Sequence, residues 1–169
     1  MAPERPAGKG WMTRFATVLV ATDGSDDGDA AVEAALDLAH DTGARVLVLA
    51  VVPEGSGGDE GGRIAASSTT DERADDALVR EAAERVDGIV DHALEWGPEA
   101  TPLIWEGDPA EAIVAASASA GADVIVIGTS GRGGVERMLL GSVSEGVARH
   151  APCTVEIVRV PAERLAKAA

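Results

Sequence analysis

The chain has 169 residues, enough for one ordinary domain, and 46% of them are hydrophobic, so it can bury a sizeable core. Aromatic residues make up only 2%, so that core must be built from aliphatic side chains. The formal net charge of −15 opposes non-specific binding to nucleic acid or to an anionic membrane, because both depend on clustered Lys and Arg.

Composition also bounds the redox chemistry and the compartment. The single cysteine, Cys153, excludes an internal disulfide and a cysteine-cluster metal site, and we expect it to be a small buried hydrophobe. We find no apolar run that could span a membrane and no signal-peptide core, so a cytoplasmic protein is expected. An acid-rich, lysine-poor surface is typical of salt-loving organisms, because salt screens its self-repulsion. A halophilic source is therefore a hypothesis, which unfolding at low salt would support.

Three segments differ in composition from the rest of the chain. Residues 1–12 and 161–169 show no long apolar periodicity and are predicted to be tails, the first of them disordered. The folded domain is therefore predicted over residues 13–160. Inside it, residues 53–70 are rich in glycine, serine, threonine and acidic residues, and are too long for a compact connector. We predict a mobile insertion there, either a lid over a ligand or inert disorder.

The first predicted strand, residues 15–21, is followed by Thr22 and then by Asp23. In open α/β sheets ligands bind at the carboxyl ends of strands, which makes Asp23 a candidate site residue. Taken locally, however, an aspartate in this sequence is most simply a turn or helix-cap residue. Asp26, Asp27 and Asp29 are interpreted as a solvated first turn of the first helix, where negative charge is favourable.

The remaining elements continue the alternation of strand and helix. In the second helix we expect a buried stripe formed by Leu78, Ala82, Val86, Ile89, Ala93 and Leu94. Pro102 suits an outer position for the third strand, and Glu156 and Arg159 indicate that the last strand meets water or a partner. This order implies right-handed crossovers and a mostly parallel sheet with helices on both faces. Strands are predicted over residues 45–52, 100–105, 124–127 and 154–160, and helices over residues 71–96, 109–120 and 142 to about 150.

A glycine-rich segment follows the fourth strand and begins with Gly128 and Gly131. The next helix is predicted to begin near Ser142, because Ser142 and Glu145 have the spacing of a capping box. The free N–H groups of a first helical turn suit an anion such as phosphate. On spacing alone, a phosphate cradle and a flexible connection between strand and helix both remain open.

The spacing G-x2-G-x9-G-[S/T], formed by Gly128, Gly131, Gly141 and Ser142, resembles the nucleotide-binding signature of the universal stress protein family. The stretches VLVATDGS, GDPAEAI, GADVIVIGTSGRGG and LLGSVSEGVARHAPC agree with it, so that the resemblance covers residues 13–160. It implies an α/β fold with an open five-stranded parallel sheet of order 3-2-1-4-5 and helices on both faces. That fold is Rossmann-like, of the adenine nucleotide alpha hydrolase-like type.

The resemblance also implies a ligand and the residues that bind it. The ligand would be ATP, with AMP and ADP as alternatives, and Mg2+ would be carried with the nucleotide. Ala21, Asp23 and Val51 are assigned to the adenine and ribose side. Gly128, Gly131, Gly141, Ser142, Val143 and Ser144 are assigned to the ribose and phosphates.

The family commonly forms homodimers through the fifth strand, which implies a homodimer through residues 154–160 and a nucleotide-dependent role in the stress response. Two alternatives stay open, a nucleotide-free scaffold that acts by pairing and a slow ATPase. No catalytic residue is nominated, because no Ser–His–Asp set is evident and nothing near the glycine segment clearly positions a water. His40, His92 and His150 lack metal-ligand spacing and are interpreted as structural.

Overall fold

The structure is a computed structural model that describes residues 15–54, 63–64, 77–129 and 140–160. The predicted tails and most of the predicted insertion lie outside these ranges. The strands are β1 (Thr17–Ala21), β2 (Arg45–Val52), β3 (Arg63–Ile64), β4 (Ala100–Glu106), β5 (Val124–Gly128) and β6 (Thr154–Val158). The helices are α1 (Asp26–Thr42), α2 (Ala77–Trp96), α3 (Pro109–Ala120) and α4 (Ser142–His150).

The strands form one sheet in the order β3-β4-β2-β1-β5-β6. All pairs except β3–β4 are parallel, so the predicted five-stranded parallel order is confirmed by β4-β2-β1-β5-β6. As predicted, Pro102 lies on the outermost of these parallel strands. Strand β3 was not predicted; it pairs antiparallel with β4 from within the predicted insertion. A two-residue strand has no periodicity of its own to reveal it.

The central strands β1 and β5 are buried along their whole length, because helices cover both faces of the sheet. Successive side chains alternate between the two faces. Val18 and Val20 of β1 pack with residues of α1 and α2, whereas Leu19 and Ala21 pack with residues of α3 and α4. The core is aliphatic, as the composition predicts.

Helix α3 begins with a capped first turn, which the sequence predicts through Asp108 as N-cap, Pro109 in the first turn and Glu111 as capping-box partner. Asp108 is its N-cap and accepts hydrogen bonds from the backbone N–H groups of Ala110 and Glu111 at 3.0 and 3.1 Å. Pro109 occupies the first turn, and Gly121 ends the helix with a left-handed φ of 62°. Helix α3 also packs closely on α4: a Cβ placed on Gly146 would lie 2.8 Å from Cβ of Ala110.

The predicted buried stripe of α2 is wrong at both of its ends. Leu78 and Leu94 are 48% and 66% exposed, whereas Ala82, Val86 and Ala93 are buried as expected. The stripe begins instead at Val79, so that the buried positions follow steps of three, four and seven residues. Each of the two leucines is one residue away from this stripe, which rotates its side chain by about 100° around the helix.

The amino ends of β1 and β5 are joined by Asp123. Its Oδ2 accepts hydrogen bonds from the backbone N–H groups of Ala16 and Thr17 at 2.8 and 2.9 Å. The N–H of Asp123 donates to the carbonyl of Thr17 at 2.9 Å. These bonds fix the start of the central strand at the edge of the sheet opposite the candidate site.

Candidate functional site

The carboxyl ends of β1, β2 and β5 lie side by side at one edge of the sheet. Ala21 at the end of β1 is opposite Leu49 of β2 on one side and Ile127 of β5 on the other. The chain leaves β1 toward β2 and later returns to its other side as β5, so the strand order reverses at this point. Open α/β sheets bind ligands in the crevice outside such a switch point.

One wall of this edge is apolar. Ala21, Val51 and Val143 all contact the same hydrophobic cluster on the face covered by α3 and α4. Val51 lies opposite Trp105 on β4. The structure therefore brings together two residues predicted for the adenine side and one predicted for the phosphate side.

The loop after β1 is a tight turn organised by side-chain oxygens. Oδ1 of Asp23 accepts hydrogen bonds from the backbone N–H and the hydroxyl of Ser25 at 3.0 and 2.6 Å. Ser25 is the N-cap of α1, and its Oγ accepts from the N–H of Gly28 at 3.2 Å. The interpretation of Asp23 as a turn residue is thus confirmed. Its role in holding a ligand stays a prediction.

A buried threonine, Thr129, connects the end of β5 to three other elements. Its N–H donates to the carbonyl of Val158 at 2.9 Å, and its carbonyl accepts from the N–H of Gly141 at 2.8 Å. The same carbonyl lies 2.9 Å from Oγ of Ser144, which donates to it. The Thr129 hydroxyl donates to Oδ2 of Asp27 at 2.6 Å. We call these bonds the Thr129 junction; they join β5 to β6, α4 and α1.

Thr129 was not predicted as a site residue because its partners are distant along the chain, with Asp27 lying 102 positions away. The interpretation of Asp27 as a solvated residue is wrong. Its Oδ1 accepts from the N–H of Val160 at 3.0 Å, while Oδ2 accepts from Thr129. A carboxylate in a first helical turn has the same local signature whether it faces water or a second strand.

The predicted start of α4 at Ser142 is confirmed, but the predicted capping residue is not. Gly141 is the N-cap and makes no side-chain capping bond, and Ser142 is the first helical residue. The predicted capping box of Ser142 and Glu145 is therefore wrong, and Glu145 instead pairs with Arg149 at 2.6 Å. With glycine at the N-cap, no capping side chain covers the first turn of this helix, the place where an anion would bind.

The two serines of this turn have different environments. Ser142 is exposed, whereas Ser144 is buried, with its Oγ 2.9 Å from the carbonyl of Thr129 and 3.1 Å from that of Gly141. Since a hydroxyl has one proton, that of Ser144 is already engaged with the backbone. Ser142 is thus the exposed hydroxyl at this end of the helix, and Ser144 offers a ligand its backbone N–H.

Gly128 lies against helix α1. A Cβ at this position would be 2.7 Å from both the carbonyl carbon and the carbonyl oxygen of Asp27. This approach requires glycine whether or not a ligand is bound nearby. Gly131, the other glycine of the predicted pattern in this segment, lies outside the described residues.

The described part of the chain contains no group of side chains that could form a metal centre. There, no three His, Cys, Asp or Glu side chains are grouped so that they could hold a metal ion. The His92 ring lies 6.0 Å from that of Trp96, and Nδ1 of His150 lies 2.9 Å from the carbonyl of Gly146. No helix in the same ranges is long and apolar enough to cross a membrane.

Cys153 is half-buried rather than fully buried and packs against the cluster under α3 and α4. Burial raises the pKa of its thiol, and the negative charge of Asp123 raises this pKa further, while a hydrogen bond with the backbone of Ile125 lowers it. The thiol is therefore protonated at neutral pH, which is the unreactive form.

The sheet and its covering helices define an open, doubly wound α/β protein, a class in which ligands bind at the switch point of the parallel sheet. Residues 14–159 match the universal stress protein family. A universal stress protein of Methanocaldococcus jannaschii is 35% identical over 156 residues, which cover 87% of this chain and 84% of that protein. The chain belongs to the universal stress protein family.

Solved structures of the same family share the fold. The universal stress protein UspA of Lactobacillus plantarum superposes with a TM-score of 0.70 at 25% identity, over 86% of this chain and 99% of that one. A universal stress protein in complex with cAMP superposes with a TM-score of 0.60 at 26% identity, over 86% of this chain and 98% of that one.

Proposed function

We propose that this protein binds ATP with Mg2+ at the carboxyl edge of β1, β2 and β5 and acts as a dimeric, nucleotide-dependent sensor in the stress response. The observation that carries the proposal is the start of α4, where Gly141 leaves the first turn without a capping side chain at the switch point of the sheet. The related structure with bound cAMP supports an adenine nucleotide as the ligand class.

The phosphates would bind at the first turn of α4. The backbone N–H groups of Ser142, Val143 and Ser144 lie at the positive end of the helix dipole, which favours an anion. The Thr129 junction holds this turn against β5 through Gly141 and Ser144, so little ordering is required when a ligand arrives.

The adenine and ribose would bind beside the ends of β1 and β2. Ala21 and Val51 offer the apolar surface that a base requires, and Asp23 offers carboxylate oxygens to the ribose hydroxyls. Mg2+ keeps several waters and needs only one or two protein carboxylates when phosphates complete its shell. A metal carried by the triphosphate therefore fits a site whose described residues form no metal-binding cluster of their own.

Ser142 provides the sharpest test of the phosphate site, because it is exposed and its replacement should leave the fold intact. Ser142→Asp places a negative charge in the first helical turn, which favours the helix but repels a triphosphate. We expect the affinity for ATP to fall about tenfold or more, whereas Ser142→Ala weakens it by only a fewfold through loss of one hydrogen bond. Isothermal titration calorimetry in the presence of Mg2+ measures both.

The matched control is Ala148→Asp, which adds the same charge at an exposed position of the same helix, beyond its first turn. Its affinity for ATP should stay close to that of the wild type. The proposal is contradicted if the wild type fails to bind ATP, ADP and AMP at millimolar concentrations, or if Ser142→Asp behaves like Ala148→Asp.

The dimer would form at β6, which ends the sheet among the described strands. The carbonyl of Val158 accepts from the N–H of Thr129, the residue after β5. Alternation therefore directs the N–H and C=O groups of Val155 and Ile157 toward the edge that no described strand covers. The side chains of these two residues are only half-buried in the single chain. A strand with an unpaired edge and partly exposed apolar side chains is a surface suited to a second copy.

Val155→Pro tests this edge. Proline removes the outward N–H of residue 155 without removing a β5–β6 hydrogen bond, and a proline is tolerated on an edge strand. We expect the variant to be a folded monomer and Val155→Ala, which keeps the N–H, to remain a dimer; light scattering after gel filtration distinguishes the two. A monomeric wild type would overturn the dimer. A dimer that binds no nucleotide would instead favour the scaffold function.

A further inference from the structure

We propose that Asp27 is a positioning residue that couples the phosphate-binding turn of α4 to the edge strand β6. The proposal rests on the function proposed above, since it adds communication between the same nucleotide site and the same edge. Asp27 makes no predicted contact with the nucleotide and would act through Thr129.

Asp27 adds a side-chain link between two chain segments that also meet through the bond from the Thr129 N–H to the carbonyl of Val158. Its Oδ2 accepts the Thr129 hydroxyl at 2.6 Å, and its Oδ1 accepts the N–H of Val160, two residues beyond β6, at 3.0 Å. One carboxylate thus fixes the residue that follows β5 and the residue that leaves β6 at the same time. A carboxylate suits this role because each of its two oxygens can accept a hydrogen bond.

The second half of the connection runs from Thr129 to α4. The Thr129 carbonyl accepts from the N–H of Gly141 and from the hydroxyl of Ser144, at 2.8 and 2.9 Å. Its own N–H donates to Val158 of β6. An anion bound at the first turn of α4 would therefore order residues whose hydrogen bonds end at the Thr129 carbonyl. The Thr129 side chain is in turn held by Asp27.

The start of α1 is rigid enough to serve as the fixed point. Ser25 caps the helix, and the backbone of Asp27 packs so closely on Gly128 that no Cβ would fit between them. Asp27 therefore cannot follow Thr129 without moving the first turn of α1. Ordering of the phosphate-binding turn should consequently favour ordering of the chain at the end of β6, and the reverse.

The experiment compares Asp27→Ala with Asp29→Ala. Both remove one negative charge from the first turn of α1, but Asp29 is exposed, and none of the hydrogen bonds described above links its carboxylate to β5 or β6. The readouts are ATP affinity and the hydrogen-exchange rates of the Gly141 and Thr129 amides by NMR. These two amides do not bond to Asp27, so a purely local loss at Val160 would not change their exchange.

We expect Asp27→Ala to weaken ATP binding about fivefold relative to Asp29→Ala. It should speed exchange of the Gly141 amide without ligand, and should abolish the slowing of Thr129 exchange that ATP causes in the wild type. Asp27→Asn should behave much like the wild type, since its amide oxygen can accept from Val160 and the Thr129 hydroxyl can turn to accept from its NH2 group. If Asp27→Ala does not fold, Thr129→Val removes the same connection and should give the same changes.

The proposal is overturned if Asp27→Ala matches Asp29→Ala in both readouts, or if exchange accelerates at Val160 alone. Failure of this proposal can be distinguished from failure of the proposed function. If the wild type binds no ATP, that function fails, and the exchange rate of Gly141 in the variants without ligand then decides the positioning role.

Discussion

Replacing Gly128 with valine is expected to unfold the protein rather than to empty its site. The new Cβ would lie 2.7 Å from the carbonyl carbon and oxygen of Asp27 and 2.9 Å from its Cβ. These are mostly backbone atoms of a helix packed on the central sheet, so they cannot rotate away as a flexible side chain would. We expect a loss of about 3 kcal/mol or more in the free energy of unfolding, measured by urea denaturation.

Gly88 provides the matched control for this experiment. It lies within α2, and a Cβ placed on it would meet nothing within 4 Å, so that Gly88→Ala should stabilise the protein by about 0.5–1 kcal/mol. A Gly128→Val variant as stable as the wild type would show that α1 can move away from β5. The contrast also means that loss of ATP binding in a Gly128 variant would not by itself identify a ligand contact.

Asp123→Ala is expected to cost about 2 kcal/mol of stability, because two backbone N–H groups lose a charged acceptor. These N–H groups belong to Ala16 and Thr17 at the start of the central strand β1. Asp123→Asn retains one side-chain oxygen and should recover much of the loss. Urea denaturation of the two variants beside the wild type measures the difference, and equal stability of all three would contradict this role for Asp123.

The same variants should change the chemistry of Cys153. Since burial is the main cause that raises the pKa of its thiol and Asp123 is the next, removing the charge of Asp123 should lower this pKa without bringing it to its ordinary value. The rate of thiol alkylation should therefore begin to rise at a lower pH in Asp123→Asn than in the wild type. An unchanged pH profile would show that the charge is screened at this site.

Most of the sheet could be predicted because most of its strands have a recognisable apolar pattern in the sequence. The runs that became β1, β2 and β5 are almost continuously apolar, which is typical of strands buried on both faces. In contrast, β3 exists only through its pairing with β4 and has no local pattern. In α2, a high hydrophobicity at Leu78 and Leu94 suggested burial, but a shift of one position around the helix decides which side chain faces the sheet.

The parts of the candidate site that could be predicted are those whose hydrogen-bond partners are close together in the sequence. The turn at Asp23 involves partners two residues away, and the N-cap at Asp108 involves partners two and three residues away. The Thr129 junction joins residues that are 12 to 102 positions apart along the chain, and no spacing rule applied to one sequence reveals such contacts. The N-cap of α4 is Gly141 rather than the predicted Ser142, because serine suits an N-cap as well as a first helical turn.

The close packing of Gly146 on Ala110 has a mechanical consequence for this edge of the molecule. At this position only the methyl group of Ala110 separates the two helices, so a displacement of α4 would be transmitted to α3 with little side-chain deformation. Because α3 begins just after β4 ends, a shift of α4 would also displace the connection at the carboxyl end of β4.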